Sequence, residues 1–338
     1  MRWIVCLALP PLAALALPLA AANFCVSNSA ALQEAIETAA SNSDTNDQIR
    51  MRPGIYPSPP NGFGRAVFAP DDNIAISGGW LPLIGPCDLP GYDPSASVID
   101  GEGQRAGLVI HRSGSGSGET NLSWLTIRGG RQMMSSLFYG NGGGLAIFGS
   151  GPVRLENLVF RSNRANVNGG AVYLGGGERT LRNNLFVDNQ AVTGSAVYAP
   201  AGGAVVLSNN TVTANISAGA GTYAVDLSNV SPVSAWNNIL SGNLGGGMDL
   251  GAFFALLTQN NLGSFCCMAD GGSQGNSTAD PQFVSASDQR LRRTSPAIDA
   301  GVNNSVGSRD LDGRPRQIGP AVDQGSYEVD FMFADGFD

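Results

Sequence analysis

The chain has no lysine and a single histidine, His111, and only 14% of its 338 residues are charged. Every basic residue is an arginine, and the arginines are not gathered into a stripe. With a net charge of −8, this argues against nucleic acid and acidic lipid as partners. One histidine cannot complete a zinc ligand set, and the cysteines show no CxxC spacing. The same scarcity confines a Ser-His-Asp site to His111, whose sequence neighbours offer no support for one. Helix-length apolar periodicity is also scarce, because 46 glycines interrupt the chain with tight turns.

One long apolar run is present, from Trp3 to Leu19. It follows Arg2 and ends in Ala20-Ala21-Ala22, a small-residue pattern before Asn23. Pro10, Pro11 and Pro18 lie within it, and it is short for a membrane span. Residues 1–22 therefore read as a cleaved export signal. The mature chain is expected not to be an integral membrane protein and to be extracellular or on the outer surface, with the periplasm as the other location. Cys6 leaves with the signal, so Cys25, Cys87, Cys266 and Cys267 remain in an oxidising compartment. Pairing of Cys25 with Cys87 is favoured. The adjacent Cys266 and Cys267 form either a strained vicinal bridge or two thiols.

What the chain does have is a repeat. Asn157 and Asn163 recur as Asn183 and Asn189, as Asn209 and Asn215, and as Asn237 and Asn243, with Asn260 in the last clear repeat. A period of this size marks a stack of units, none of which can bury its apolar face alone. Columns travel with the asparagines: Phe160, Phe186, Val212, Leu240, and beside them Val159, Leu185, Thr211, Ile239. Such residues suit short parallel strands, one laid on the next at about 4.8 Å. An asparagine column can bond neighbour to neighbour and satisfy backbone groups at a turn, so the asparagines read as a structural ladder. The expected fold is all-β: a single-stranded, right-handed parallel β-helix solenoid over residues 45–270. Residues 23–44 supply an N-terminal cap, in which Asn28 or Ser29 starts a short helix with Leu32, Ala35, Ile36 and Ala39 on its apolar face.

Phe160-Arg161-Ser162-Asn163 and Phe186-Val187-Asp188-Asn189 resemble the FxxN element of polymorphic outer membrane protein repeats, and Gly169-Gly170-Ala171-Val172 resembles their GGA element. The chain thus looks like the pectin-lyase-like superfamily. That fold hosts lyases, hydrolases, adhesins and inert stalks alike. The C-terminal region, 271–330, carries a second resemblance. Asp280-Pro281-Gln282-Phe283, Ser295-Pro296-Ala297-Ile298-Asp299-Ala300-Gly301, Asp310, Asp312-Gly313-Arg314-Pro315-Arg316 and Asp323 to Glu328 are similar to a choice-of-anchor Q domain. Such domains follow β-helix repeats on exported bacterial proteins, ahead of a variable surface-anchoring tail, here 331–338, and the resemblance implies the outer surface of a Gram-negative bacterium. Prolines in this region can fix turns that close the last rung. No set of alternating strands of about ten residues follows that could build an outer-membrane barrel.

Catalytic residues are not assigned. The Asn-Thr-Asp, Asp-Asp, Gly-His-Gly and Arg-Ile-Lys series of polygalacturonases is absent, as is the Arg-x-Pro-x-x-Arg element of pectate lyases. Asp188, Asp226 and Asp249 stand singly in the repeats, and Asp226 with Asp249 could stack as neighbours. No cofactor or metal is expected. Calcium is the one ion left open, since Asp310-x-Asp312-Gly313 resembles part of a calcium loop without its ligand series. The expected role is non-catalytic binding of carbohydrate or a cell surface. A divergent polysaccharide lyase or glycoside hydrolase, using loops near 131–142 and 217–223, is the alternative.

Overall fold

A computed structural model describes residues 21–330 except 134–138, 231, 247, 250–254, 264, 267–272 and 305, and only the backbone of 65, 248–249, 255–258, 265–266 and 273. Residues 1–20 of the expected signal, the tail 331–338, Cys267 and the Cys266 side chain lie outside the described residues. Within them the chain is all-β apart from one helix, Ser29–Ala39. Its strands form four parallel sheets: A with ten strands, B and C with eight each, and D with four.

The order of the strands explains the repeat. Val205–Ser208 lies in sheet A, Thr211–Thr213 in B, Ile216–Ser217 in D and Val225–Asp226 in C, after which Val233–Trp236 returns to A beside Val205–Ser208. Each circuit lays its strands on those of the previous one, so like residues meet. On the inner side of sheet A the column is Ile49, Ile76, Leu122, Leu155, Leu181, Leu207 and Ala235. On sheet B it is Tyr56, Ile99, Ile127, Phe160, Phe186, Val212 and Leu240. All of these are buried, and the Phe160 and Phe186 rings stack 5.1 Å apart. The continuous apolar interior is the main stabilising feature, each fully buried large side chain contributing about 1.5–3 kcal/mol.

The two-residue corners between sheets need unusual backbone. Asn157, Asn183, Asn209, Asn237 and Asn260 all have φ between 47° and 57°, a left-handed conformation that asparagine tolerates better than most residues. Gly64, at φ 95°, has a different reason: a Cβ there would sit 1.8 Å from the Val109 carbonyl oxygen.

The N-terminal end is closed by the helix. The Asn28 side chain caps it by accepting from the Ala31 N–H, and Leu32, Ala35, Ile36 and Ala39 are buried. A strand that the sequence does not announce, Asn23–Val26, precedes it and pairs with Asn46–Met51. Cys25 and Cys87 are disulfide-bonded.

The C-terminal region departs from expectation. Instead of closing the last rung, residues 283–329 lie along the outer face of sheet B. Phe283, Leu291, Ala297 and Val329 pack on Ile239 and Leu262, while Leu311 and Tyr327 pack on Val159, Leu185 and Val187. Strands Leu185–Val187 and Thr211–Thr213 are consequently buried at every position, as sheets covered on both faces are. A turn-fixing proline chemistry gave no hint of this, because the contacts depend on which corner amides are free. The coil also runs past residue 270, with Ser273–Gln274 pairing with Thr258–Gln259.

Candidate functional site

The asparagines divide into groups with different work. Asn163, Asn189, Asn215 and Asn243 bond neighbour to neighbour: the side-chain amide of each donates to Oδ1 of the next at 2.9–3.0 Å. That same Oδ1 also accepts the preceding backbone N–H, at 3.0 Å in each case. Asn157, Asn183, Asn209, Asn237 and Asn260 do not form such a chain. The left-handed backbone at these corners turns their amides outward, where they donate to carbonyls of the C-terminal region: Asp310, Arg309, Asp323, Val302 and Ala300 respectively. The second inner ladder is formed by the residues one position later, Asn184, Asn210, Asn238, Asn261 and Asn276. Its sequence signal is the dipeptide Asn-Asn at 183–184, 209–210, 237–238 and 260–261. Both inner ladders are buried except at their last members, Asn243 and Asn276, which are half-buried, so the ladders present no continuous stripe to a ligand.

Three carboxylates of the C-terminal region are buried too. Asp310, Asp323 and Glu328 surround Arg316, which is 1% exposed. Arg316 donates from Nη2 to the carbonyls of Asp323 and Gly325 at 2.7 Å, and its Nη1 lies 3.6 Å from Glu328. Burial pushes Glu328 up to about 8 and Asp323 up to about 6, against the pull of the guanidinium. Asp310 Oδ1 accepts from the N–H groups of Asp312 and Arg314, which makes a turn rather than an open ion loop. Among the described residues no group of three or more His, Cys, Asp or Glu is placed to hold a metal ion.

Exposed chemistry lies on the outer face of sheet C. Period-two alternation points Phe148, Tyr173 and Tyr198 away from the core; Tyr173 and Tyr198 are register partners, and Phe148 stands on the same face two positions past Ala146, the partner of Tyr173, so the three rings run in an oblique row. The Phe148 and Tyr173 rings are 5.1 Å apart, and those of Tyr173 and Tyr198 are 5.8 Å apart. His111 extends the row, meeting Phe148 edge-on at 6.4 Å. All three rings of the row are half-buried and His111 is exposed. Asp226 follows Tyr198 in register, with its Oδ2 accepting from Thr193 at 2.7 Å and its Oδ1 from Ser228. Asp249 is the register partner of Asp226 in the next strand. The connections leading into these strands carry Asn141 and Asn168, which add polar edges.

Arginines near the row are not placed as bases. Arg179 is buried under Tyr173, donates to the carbonyls of Gly175, Ala201 and Gly203, and is lowered to about 10 by burial. Arg112 likewise serves the carbonyl of Glu119 and the hydroxyl of Thr120. Both brace the returns from sheet C to sheet A. Burial also raises the Tyr173 and Tyr198 hydroxyls, so the row carries neutral phenols. Rings with apolar faces and polar rims suit a ligand that is itself apolar on one face and hydroxylated around its edge. Among the described residues no helix is long and apolar enough to cross a membrane. No family model matches the chain, and no curated protein matches it significantly.

Proposed function

We propose that this chain is an exported, non-catalytic carbohydrate-binding protein, built as a right-handed parallel β-helix of the pectin-lyase-like type. In this reading residues 1–22 are an export signal, the FxxN and GGA repeats build the solenoid, and the choice-of-anchor Q-like region serves display at a bacterial surface. The observation that carries it is the outward row Phe148, Tyr173 and Tyr198. Elsewhere on the outer faces of the coil, arginine and glutamate pairs occupy such positions, as with Arg154 and Glu119 or Arg182 and Glu156. Aromatic rings in their place cost solubility without adding to the core. Their value is recognition.

Affinity electrophoresis in gels containing single polysaccharides tests this. The chain from residue 23 is expected to be retarded by at least one glycan. Tyr173→Ala with Tyr198→Ala should migrate as in a glycan-free gel. Equal retardation of both proteins would move the site off sheet C. A divergent lyase or hydrolase remains the second reading, supported by Asp226 beside Tyr198 at the end of the row.

A further inference from the structure

The C-terminal region covers sheet B over Leu185–Val187, Thr211–Thr213 and Ile239–Ser241, but the cover opens over Thr126–Arg128 and Val159–Arg161. A cavity of about 460 Å³ is left there, within the range of small-molecule sites. Its far wall is the loop Asp93–Ser95, and that wall is tied to the C-terminal region. Trp124 meets Tyr92 edge-on at 5.1 Å, and the Arg309 guanidinium lies 4.1 Å over the Tyr92 ring. Three separate stretches of chain therefore enclose one space.

The charges around it are unevenly matched. Arg128 is paired with Asp100 at 2.8 Å. Arg290 grips both oxygens of Asp312, at 2.7 and 2.8 Å. Arg161 has no carboxylate partner among the described residues; the hydrogen bond of its guanidinium is a 3.4 Å one to Gln289 Oε1. Gln289 is itself 3% exposed and fixed by donating to the Ala286 carbonyl at 2.7 Å. Three arginines and three aspartates line the cavity, and of the arginines only Arg161 lacks a carboxylate partner among the described residues. A planar guanidinium with free N–H groups matches a carboxylate in a two-point grip.

Other groups narrow the choice of ligand. The floor is apolar, from Val159, Leu185 and Leu311. The Tyr327 hydroxyl lines the space and has no hydrogen bond among the described residues. Asp93 and Asp288 each use one oxygen within the protein, which leaves the other to accept a hydroxyl. Two nearby carboxylates repel a multiply charged phosphate more strongly than a monoanion, and accept the hydroxyl donors that a hydroxylated monoanion brings.

We propose that this cavity binds a sugar acid, with the carboxylate on Arg161, hydroxyls on Asp93, Asp288 and Tyr327, and the ring over Val159 and Leu185. It is a second site, on a different sheet from the aromatic row, and it does not depend on what the row binds. Calorimetric titration of the chain with D-galacturonate, D-galactose and inorganic phosphate tests it. D-Galacturonate is expected to bind at least ten-fold more tightly than D-galactose or phosphate. Arg161→Gln should weaken it at least ten-fold, Tyr327→Phe several-fold, and Tyr173→Ala should leave it unchanged, all with unaltered circular dichroism. Should Arg161→Gln fail to fold, Tyr327→Phe carries the test, since it removes one hydroxyl only. Absence of D-galacturonate binding, equal binding of D-galactose or phosphate, or indifference of the folded variants would overturn the proposal.

Discussion

Asn210 Oδ1 accepts two donors from Asn184, the backbone N–H at 3.1 Å and the side-chain amide at 3.0 Å. One oxygen thus satisfies two buried groups of the preceding circuit, while the Asn210 amide reaches back to the Leu181 carbonyl at 2.9 Å. The Asn210 side chain is thus paired inside the protein through both its oxygen and its amide.

Asn210→Ala should therefore be costly, since it strands both Asn184 donors at about 1–3 kcal/mol each. Asn209→Ala should cost less. It loses a bond to Asp323 and a long one, 3.5 Å, from the Asn237 amide, and a left-handed alanine costs about 1–2 kcal/mol. Asn209→Gly should recover the backbone part of that loss. Denaturant titration of the three variants gives the order, and an Asn209→Ala loss equal to that of Asn210→Ala would contradict the division of the asparagines.

The buried carboxylates set a pH dependence. Glu328 titrates at an ordinary 4.5 when unfolded and at about 8 when folded. Between these values the folded chain holds a proton that the unfolded chain has lost, so stability is fully present below about 4.5 and declines as pH rises to about 8. The slope per such group is about 1.4 kcal/mol per pH unit at most. Thermal melts from pH 4.5 to 8 should show a falling midpoint, and Glu328→Gln should flatten the fall. A midpoint that rises over this range would show that Arg316 holds the carboxylates ionised.

The bond between Cys25 and Cys87 spans 62 residues and ties the first strand to the loop beside Trp80. By loop-closure entropy, Cys87→Ser should cost about 4 kcal/mol. Hydrogen exchange should accelerate first in residues 23–39. Exchange that rises equally across the later circuits would mean that the end cap and the coil unfold as one.

The repeat period, the strand columns and the capping helix were legible because each depends on local spacing: Phe160, Phe186, Val212 and Leu240 keep one phase, and Asn28 stands just ahead of an apolar face. The inner ladder at Asn184, Asn210, Asn238 and Asn261 was harder to see. In an Asn-Asn pair only the backbone φ says which amide turns inward. Of the outward row, Tyr173 and Tyr198 did leave a signal, an interval of 25 residues between register partners, hidden because loop lengths vary around it. Docking of residues 283–329 left none. Its partners are backbone carbonyls, which carry no residue identity, and its charges are matched through folding rather than through spacing, as Arg161 shows by remaining unmatched.

The outer face of sheet C is expected to bind glycan without turning it over. The most direct test incubates the chain from residue 23 with a panel of plant and bacterial polysaccharides, with and without calcium, and records retention together with new reducing or unsaturated ends. The account predicts retention by at least one glycan, loss of that retention in Tyr173→Ala with Tyr198→Ala, and no new ends. Release of new ends by the purified chain would contradict it and direct attention to Asp226 at the end of the row.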